Sequence, residues 1–240
     1  MSPSDSPVAW SAQQLLQRFA VRGRFYERQV DGRDFALRSH LEIFDRALPW
    51  ARVQGGAPDL VAVMMNPGAS RPLEVADAQG WASAVPDRTQ YQLMKLALSA
   101  GSVDPLIRHI RVINLSDLRT PKSAQLFEAL ATTGGWHSIF DTARSNELRQ
   151  ALGSFDTPVL QAWGLSPHLK ALADTALKAL SGRPLLGLSD NGWGFRHPLP
   201  QRADLQRAWL AQMAVQLATA RRGWSGAADD PFGTPHRKMA

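Results

Sequence analysis

The stretch Val61-Ala62-Val63-Met64-Met65-Asn66-Pro67-Gly68 is an unbroken run of apolar residues that ends at an Asn-Pro-Gly turn. A short apolar run bounded by turn residues is typical of a strand that is buried on both faces. The turn leaves Asn66 as the polar side chain at the C-terminal end of this strand. In open α/β sheets, ligands bind outside the carboxyl ends of the strands. The stretch therefore predicts an α/β fold with Asn66 at a candidate binding site.

Three further segments repeat this design of an apolar strand followed by a polar or glycine-rich end. They are residues 110–115, residues 158–164, and residues 184–188 leading into 194–200. Helical patterns lie between the strands, as over residues 89–100. Strands that alternate with helices indicate a mostly parallel four-stranded sheet with helices on both faces, which is a three-layer α/β/α fold.

The N-terminal part has a different pattern. Residues 24–30 and 33–41 flank Asp31-Gly32, a strong signal for a hairpin of two antiparallel strands. Before them, Ser11 is placed to cap a short helix. We therefore expect an N-terminal helix and β-hairpin that lead into the sheet.

Length and composition indicate one domain. A chain of 240 residues with 44% hydrophobic content can bury one substantial core. We expect a single domain over residues 1–222, with the N-terminal helix and hairpin over 11–45 and the core over 58–222. Residues 69–86 form a long connection in this interpretation, and residues 223–240 form a loose tail.

The absence of cysteine excludes disulfides, thiolate catalysis and cysteine-bound zinc. We expect neither a metal nor a cofactor. The N-terminus does not have a basic segment followed by an apolar one, and no stretch approaches the roughly 18 to 20 apolar residues of a membrane span. We therefore expect a cytoplasmic monomer with no membrane association.

The net charge of +6 favours contact with polyanions. Basic residues flank the predicted strand ends, as a groove for a phosphate backbone requires. We interpret them as DNA-binding residues, with ordinary solvated surface charge as the alternative for each. They are Arg71, Arg119, Lys122, Arg196 and Arg202.

The polar ends follow a recognisable order. Asn66-Pro67-Gly68 comes first, then Asn114, then Trp163-Gly164, and finally His197-Pro198-Leu199-Pro200. Over residues 60–206 this order resembles that of the uracil-DNA glycosylase superfamily. Residues 35–197 also resemble a bacterial and phage family that is known only as a domain of unknown function, with a similar Asn-Pro motif and a C-terminal His-Pro-Leu.

The resemblance to the glycosylases implies roles for three polar residues. Asn66 would position the attacking water, His197 would donate a hydrogen bond to the departing base, and Asn114 would read the polar edge of the base. The alternatives are a turn residue for Asn66, a loop histidine without catalytic importance for His197, and a strand-end cap for Asn114.

A base that is flipped out of the DNA must also stack on a side chain. Trp81 and Tyr91 are the candidate platforms, with core or surface packing as the alternative. Leu199 could wedge into the base stack, as apolar side chains do when they kink DNA, with loop packing as the alternative.

Two departures from the uracil-specific pattern bear on the substrate. Asn66 stands where those enzymes have an aspartate, and Gly68 stands where they have a tyrosine that excludes a substituent at the pyrimidine 5-position. The resemblance therefore implies removal of a 5-substituted pyrimidine, such as a hypermodified cytosine of phage DNA, or of uracil. The context would be defence against phage or base-excision repair.

No lysine lies in the matched motifs, so we expect a monofunctional glycosylase that leaves an abasic site. Two rival functions remain open. One is a non-catalytic nucleic-acid-binding protein on the same fold. The other is an enzyme that acts on free nucleosides or nucleotides, although the chain has neither the phosphate-binding loop nor the dinucleotide-binding fingerprint.

Overall fold

A computed structural model describes residues 9–99 and 107–225 of the chain. Over these ranges the protein has seven α-helices and seven β-strands. The helices are α1 Ala12–Arg18, α2 Trp50–Gly55, α3 Arg88–Ser99, α4 Ser123–Leu130, α5 Ser145–Leu152, α6 Lys170–Ala179 and α7 Ala203–Ser225. The strands are β1 Phe19–Val30, β2 Arg33–Asp45, β3 Leu60–Met64, β4 Trp81–Ser83, β5 His109–Asn114, β6 Val159–Gln161 and β7 Leu185–Leu186.

The strands form one mixed sheet in the order β4-β1-β2-β5-β3-β6-β7. The four strands β5, β3, β6 and β7 are parallel to one another. The pairings β4-β1, β1-β2 and β2-β5 are antiparallel. The prediction of a mostly parallel four-stranded sheet is therefore wrong, although the protein is an α/β protein.

The difference arises because β2 is an interior strand of the sheet. Arg38 to Phe44 are all buried, and Leu41 and Phe44 pair with Val112 and His109 of β5. A segment that is buried on both faces needs a neighbour on each side to satisfy its backbone groups. β1 supplies the other neighbour across a turn at Asp31 and Gly32, both with positive φ, as a two-residue hairpin loop of type I′ requires.

A β-bulge at Ser39 changes which face of the sheet β2 presents. Arg24 lies opposite His40, but the next residue, Phe25, lies opposite Arg38, so Ser39 has no partner. An extra residue inverts the alternation of side chains along the bulged strand. Arg38 and His40 therefore point to opposite faces of the sheet, although they are two residues apart.

Each face of the sheet carries its own hydrophobic cluster. One cluster contains residues from α1, α3 and α7, including Leu15, Met94 and Met213. The other contains residues from α4, α5 and α6. Between them, Met64 of β3 pairs in register with Asn114 of β5, so the two parallel strands end at one edge of the sheet.

The predicted helix start at Ser11 is confirmed, since the Ser11 hydroxyl accepts from the Gln14 backbone and the Gln14 side chain accepts from the Ser11 backbone. The connection over residues 69–86 contains β4, which the sequence did not predict. α7 continues to Ser225, into the segment predicted to be loose. The rest of that segment, residues 226–240, lies outside the described residues. No helix in the described ranges is long and apolar enough to cross a membrane.

Candidate functional site

A pocket of about 200 Å³ lies at the edge where β3 and β5 end. Four of the residues predicted to form the site line it: Asn66, Gly68, Asn114 and His197. The parallel register explains why the first three are neighbours, because it brings the ends of β3 and β5 to the same edge. His197 arrives from the distant loop that precedes α7.

Asn66 ties this pocket to the segment that follows β5. Its Nδ2 donates to the carbonyl oxygens of Leu118 at 3.2 Å and Thr120 at 3.1 Å, and to the Thr120 hydroxyl at 2.8 Å. Because carbonyl oxygens only accept, these contacts fix the orientation of the amide. Among the described residues nothing donates to Oδ1 of Asn66. That oxygen is the atom available to a water molecule or ligand.

The loop that carries His197 is held by backbone pairing with the segment that follows β6. Gly164 and Phe195 exchange two backbone hydrogen bonds, at 2.8 and 3.1 Å, and the Trp163 ring packs edge-on against Phe195. The Trp209 indole of α7 also donates to the carbonyl of Arg196 at 3.2 Å. The Trp163-Gly164 motif thus positions the histidine without lining the pocket itself.

The tautomer of His197 follows from one hydrogen bond. The backbone N–H of Leu199 donates to Nδ1 at 3.1 Å, so this nitrogen must be unprotonated. Burial lowers the pKa of His197 and outweighs the opposing effect of Asp87. The imidazole is therefore neutral at pH 7, with its proton on Nε2, and Nε2–H is a donor available to the pocket.

Asn114 is completely buried, and neither atom of its side-chain amide has a hydrogen-bond partner. A buried polar group without a partner costs about 1 to 3 kcal/mol, so most such groups are satisfied by protein or water. Asn114 instead presents one donor and one acceptor to the pocket. The strand-end cap that was its alternative role would require hydrogen bonds that it does not make.

Gly68 leaves one side of the pocket open. Its φ is +60°, and a Cβ atom built at this position would have no atom within 4 Å. Most side chains at such a φ cost about 1 to 2 kcal/mol, whereas asparagine tolerates it better. The space beside Gly68 is therefore free for part of a ligand.

Two charged residues of the pocket were not predicted. Arg38 of β2 is 2% exposed, and Asp87 is an exposed residue just before α3. Burial lowers the pKa of Arg38 to about 10, which leaves it charged at neutral pH. Asp87 and Gln90 form a capping box, a pattern that the sequence does contain. The only sequence feature that could have predicted a functional role for Arg38 was the presence of a charged residue within an apolar strand.

The two predicted stacking residues lie elsewhere. Trp81 packs against Trp50, with the ring centroids 5.0 Å apart, and lines a different cavity. Tyr91 packs against the cluster beside α1 and α7, and it lines a small surface pocket with Leu199. Among the described residues, no phenylalanine, tyrosine or tryptophan lines the pocket of Asn66 and His197. The placement of Trp81 and Tyr91 therefore does not support a stacking role.

Three of the predicted DNA-binding residues are engaged within the protein. Arg196 pairs with Asp190 at 2.8 Å and Arg202 with Asp204 at 2.6 Å, both at exposed positions where such pairs are weak. Arg119 donates from Nε to the Ser70 carbonyl at 2.6 Å and lies over the Phe25 ring.

Arg71 and Lys122 are exposed and form no ion pair with other described residues. Leu199 is half-buried beside Tyr91. Arg71 and Lys122 are therefore the predicted contacts that stand free for a phosphate.

A larger cavity, of about 750 Å³, lies beside Trp81 and has a buried polar floor. Glu42 accepts from Arg111 at 2.7 Å and lies 2.6 Å from Nε2 of His109. Arg111 also donates to the carbonyls of Gln150, Ala151 and Gly56. Burial raises the pKa of Glu42, but these partners outweigh it and hold the pKa below its usual value. Because Glu42 and Arg111 are already engaged by partners within the protein, this cavity is a weaker candidate than the first.

His40, beside Glu42, makes the stability of the protein depend on pH. Burial lowers its pKa from 6.5 to about 4 in the folded state. Between these values the unfolded chain binds the proton and the folded protein does not, so stability falls as the pH drops from about 6.5 to 4. The shift corresponds to roughly 3 kcal/mol.

We expect His40→Gln to remove most of this loss. Urea unfolding at pH 7 and pH 4 measures it, with the exposed His168→Gln variant as a control that should behave like the wild type. An equal loss of stability in His40→Gln and wild type would contradict the assignment.

No match to the chain was found among protein families, curated proteins or solved structures. Within residues 9–99 and 107–225, no three histidine, aspartate or glutamate side chains are placed to hold a metal ion. The proposal for function therefore depends on the geometry and chemistry of the pocket.

Proposed function

We propose that the protein is a monofunctional DNA glycosylase with the three-layer fold of the uracil-DNA glycosylases, and that it hydrolyses the N-glycosidic bond of a flipped pyrimidine. One observation carries the proposal. The unpartnered amide of Asn114 and the Nε2–H donor of His197 meet in one pocket of about 200 Å³ at the ends of the parallel strands.

Asn114 recognises the base. Uracil presents the O4 acceptor beside the N3–H donor, and cytosine presents the N3 acceptor beside its 4-amino donor, so an amide can donate to the acceptor and accept from the donor of either base. Because Asn114 has no partner within the protein, base binding satisfies both of its amide atoms. A base without the matching edge leaves them unpaired, and such a mismatch is strongly disfavoured.

His197 stabilises the departing base. When the C1′–N bond breaks, its electron pair goes to the base, and negative charge develops on the ring and its carbonyl oxygen. A neutral imidazole that donates from Nε2 gains strength as this charge grows. The hydrogen bond from Leu199 holds the imidazole in the tautomer that this role requires.

Asn66 and Asp87 act on the sugar side. Oδ1 of Asn66 is free to accept a hydrogen bond from the water whose oxygen adds to C1′, and the proton that this water loses neutralises the departing base. The sugar acquires positive oxocarbenium character before the water adds, and negative charge nearby stabilises it. Asp87 supplies a carboxylate to this pocket, whereas the side chain of Asn66 is a neutral amide.

The size of the pocket suits a pyrimidine. At about 30 Å³ for each water in the liquid, its volume corresponds to about seven water molecules, which is enough room for one pyrimidine base. Met64, Leu93 and Val112 contribute apolar side chains to its walls, so the base is held by aliphatic and thioether contacts. A 5-substituent has room beside Gly68, where a Cβ atom would have no neighbour within 4 Å.

Gly68→Tyr should abolish excision of bulky 5-substituted bases and preserve any excision of uracil, because the ring fills the open space. Gly68→Ala is the matched control, since it adds a similar backbone strain at this positive φ with a small side chain. Single-turnover excision of uracil and of 5-hydroxymethylcytosine from duplex DNA measures the effect. Equal loss on both bases in Gly68→Tyr would show that Gly68 does not set the size of the pocket.

The substrate assay uses duplexes that carry uracil, mismatched thymine, 5-hydroxymethylcytosine or glucosylated cytosine. We expect strand breaks only after alkaline treatment of the products, because a glycosylase without a Schiff-base lysine leaves intact abasic sites. DNA binding without abasic sites on any of these duplexes would favour the non-catalytic rival function.

A further inference from the structure

The guanidinium of Arg38 is a buried charge without a partner. The residue is 2% exposed, its Nε and Nη1 atoms have no hydrogen-bond partner, and no described carboxylate forms an ion pair with it. Buried charges in proteins are normally paired, because removing a charge from water is strongly unfavourable. An arginine that is buried but unpaired, and that lines a pocket, indicates a ligand with anionic or acceptor groups.

The backbone is arranged to hold Arg38 in this place. The bulge at Ser39 turns the side chain to the face of the sheet that carries the pocket. Gly23, on the neighbouring strand, leaves room for it, since a Cβ atom there would lie 3.2 Å from Cδ of Arg38 and 2.8 Å from the Phe25 ring. A bulge next to a functional site is a common way to redirect a side chain.

The charges around Arg38 do not neutralise it. Asp117, after β5, is engaged by the Tyr26 hydroxyl at 2.9 Å and by Arg144 at 2.7 Å. Asp87, before α3, lines the pocket but is exposed and caps the helix through Oδ1. Arg119 adds a further positive charge nearby. The surroundings of Arg38 therefore favour an anion in the pocket.

The N-terminus of α4 opens into the same pocket. Thr120, Pro121 and Ser123 line it, and the first turn of α4 carries no acidic residue and no side-chain cap. The free N–H groups and the dipole of a helix N-terminus attract anions. The buried charge of Arg38 and the N-terminus of α4 thus independently favour an anion in this part of the pocket.

We propose that Arg38 and the first turn of α4 form an anion subsite, which binds a carboxylate or phosphate group of the substrate. This inference rests on the proposed function, in which a base enters the pocket. The anion can be an acidic substituent on the base or a phosphate of the DNA backbone. The depth of Arg38 favours the substituent, because backbone phosphates stay at the protein surface.

The first test compares the thermal stability of two variants without ligand. Arg38→Met should unfold at a higher temperature than the wild type, because it replaces an unpaired charge by an apolar side chain of similar length. Arg111→Met is the matched control. It should unfold at a lower temperature, because Arg111 is buried but paired with Glu42. A similar loss of stability in both variants would show that Arg38 is a structural residue and would overturn the subsite.

The second test measures binding by calorimetry. The probes are uracil-5-carboxylate, the neutral uracil-5-carboxamide of the same shape, and inorganic phosphate. We expect wild type to bind the carboxylate at least about tenfold more tightly than the carboxamide, and Arg38→Met to lose this preference. Phosphate binding that depends on Arg38, without a preference for the carboxylate, would support the subsite and identify a backbone phosphate as its occupant. Anion binding that does not depend on Arg38 would overturn it.

Excision of uracil from DNA by the wild type separates this inference from the proposed function. Abasic sites together with indifference to both anions would refute the subsite and leave the glycosylase. Anion binding that depends on Arg38, without abasic sites on any duplex, would support the subsite and refute the glycosylase.

Discussion

His197→Asn should lower single-turnover base excision by about 10²-fold or more and leave DNA binding nearly unchanged. The asparagine oxygen can replace Nδ1 as the acceptor for the Leu199 backbone N–H, so the loop keeps its hydrogen bond. The shorter side chain has no donor at the position of Nε2. The loss then measures the donor to the departing base, and rapid-quench excision under enzyme excess is the assay.

His197→Gln is the matched control, because its amide reaches further and can place a donor near the position of Nε2. We expect it to retain more activity than the asparagine variant. Equal activity in His197→Asn and the wild type would remove His197 from the reaction. Equal loss in both variants would mean that the loop rather than the donor is responsible.

Asn114→Leu should lower the rate of single-turnover excision by about 10²- to 10³-fold, with no loss of thermal stability. Leucine is close to asparagine in shape, and both amide atoms of Asn114 are buried without a partner in the protein. Replacing an unsatisfied polar group by an apolar one of the same shape is neutral or stabilising. Excision falls because the polar edge of the base loses both of its hydrogen bonds.

Thermal stability and excision activity together distinguish a base-binding role of Asn114 from a structural one. A structural asparagine would show the opposite pattern, in which stability falls and the remaining folded protein keeps its activity. Thermal unfolding and single-turnover excision on the same preparation distinguish the two. A destabilised Asn114→Leu variant with full activity would contradict the assignment of this residue to the base.

Much of the pocket could be predicted from the pattern of strands. Apolar runs that end in Asn66 and Asn114 predict parallel strands with polar ends, and parallel strands bring those ends together at one edge of the sheet. The sheet register confirms this reasoning, since Met64 pairs with Asn114. Placing His197 beside them required the order of the motifs, because no local pattern predicts which loop reaches that edge.

Other features depend on contacts between distant segments. A regular β2 strand would place Arg38, His40 and Glu42 on one face of the sheet, because these residues lie two positions apart. The bulge at Ser39 puts the Arg38 side chain on the opposite face from the other two. Trp81 follows a loop without strand signals, yet β4 pairs with β1 and carries it away from the pocket. The ion pair between Arg196 and Asp190 also depends on the conformation of the loop that contains both residues, and no sequence pattern predicts it.

The proposed reaction cleaves the bond between a base and its sugar. The most direct measurement quantifies the free base that the wild-type protein releases from each modified duplex, by mass spectrometry, together with the abasic sites left in the same DNA. We predict equal amounts of base and abasic sites on at least one pyrimidine substrate, and about 10²- to 10³-fold slower formation of both products with Asn114→Leu. Tight DNA binding with no base released from any duplex would contradict the claim.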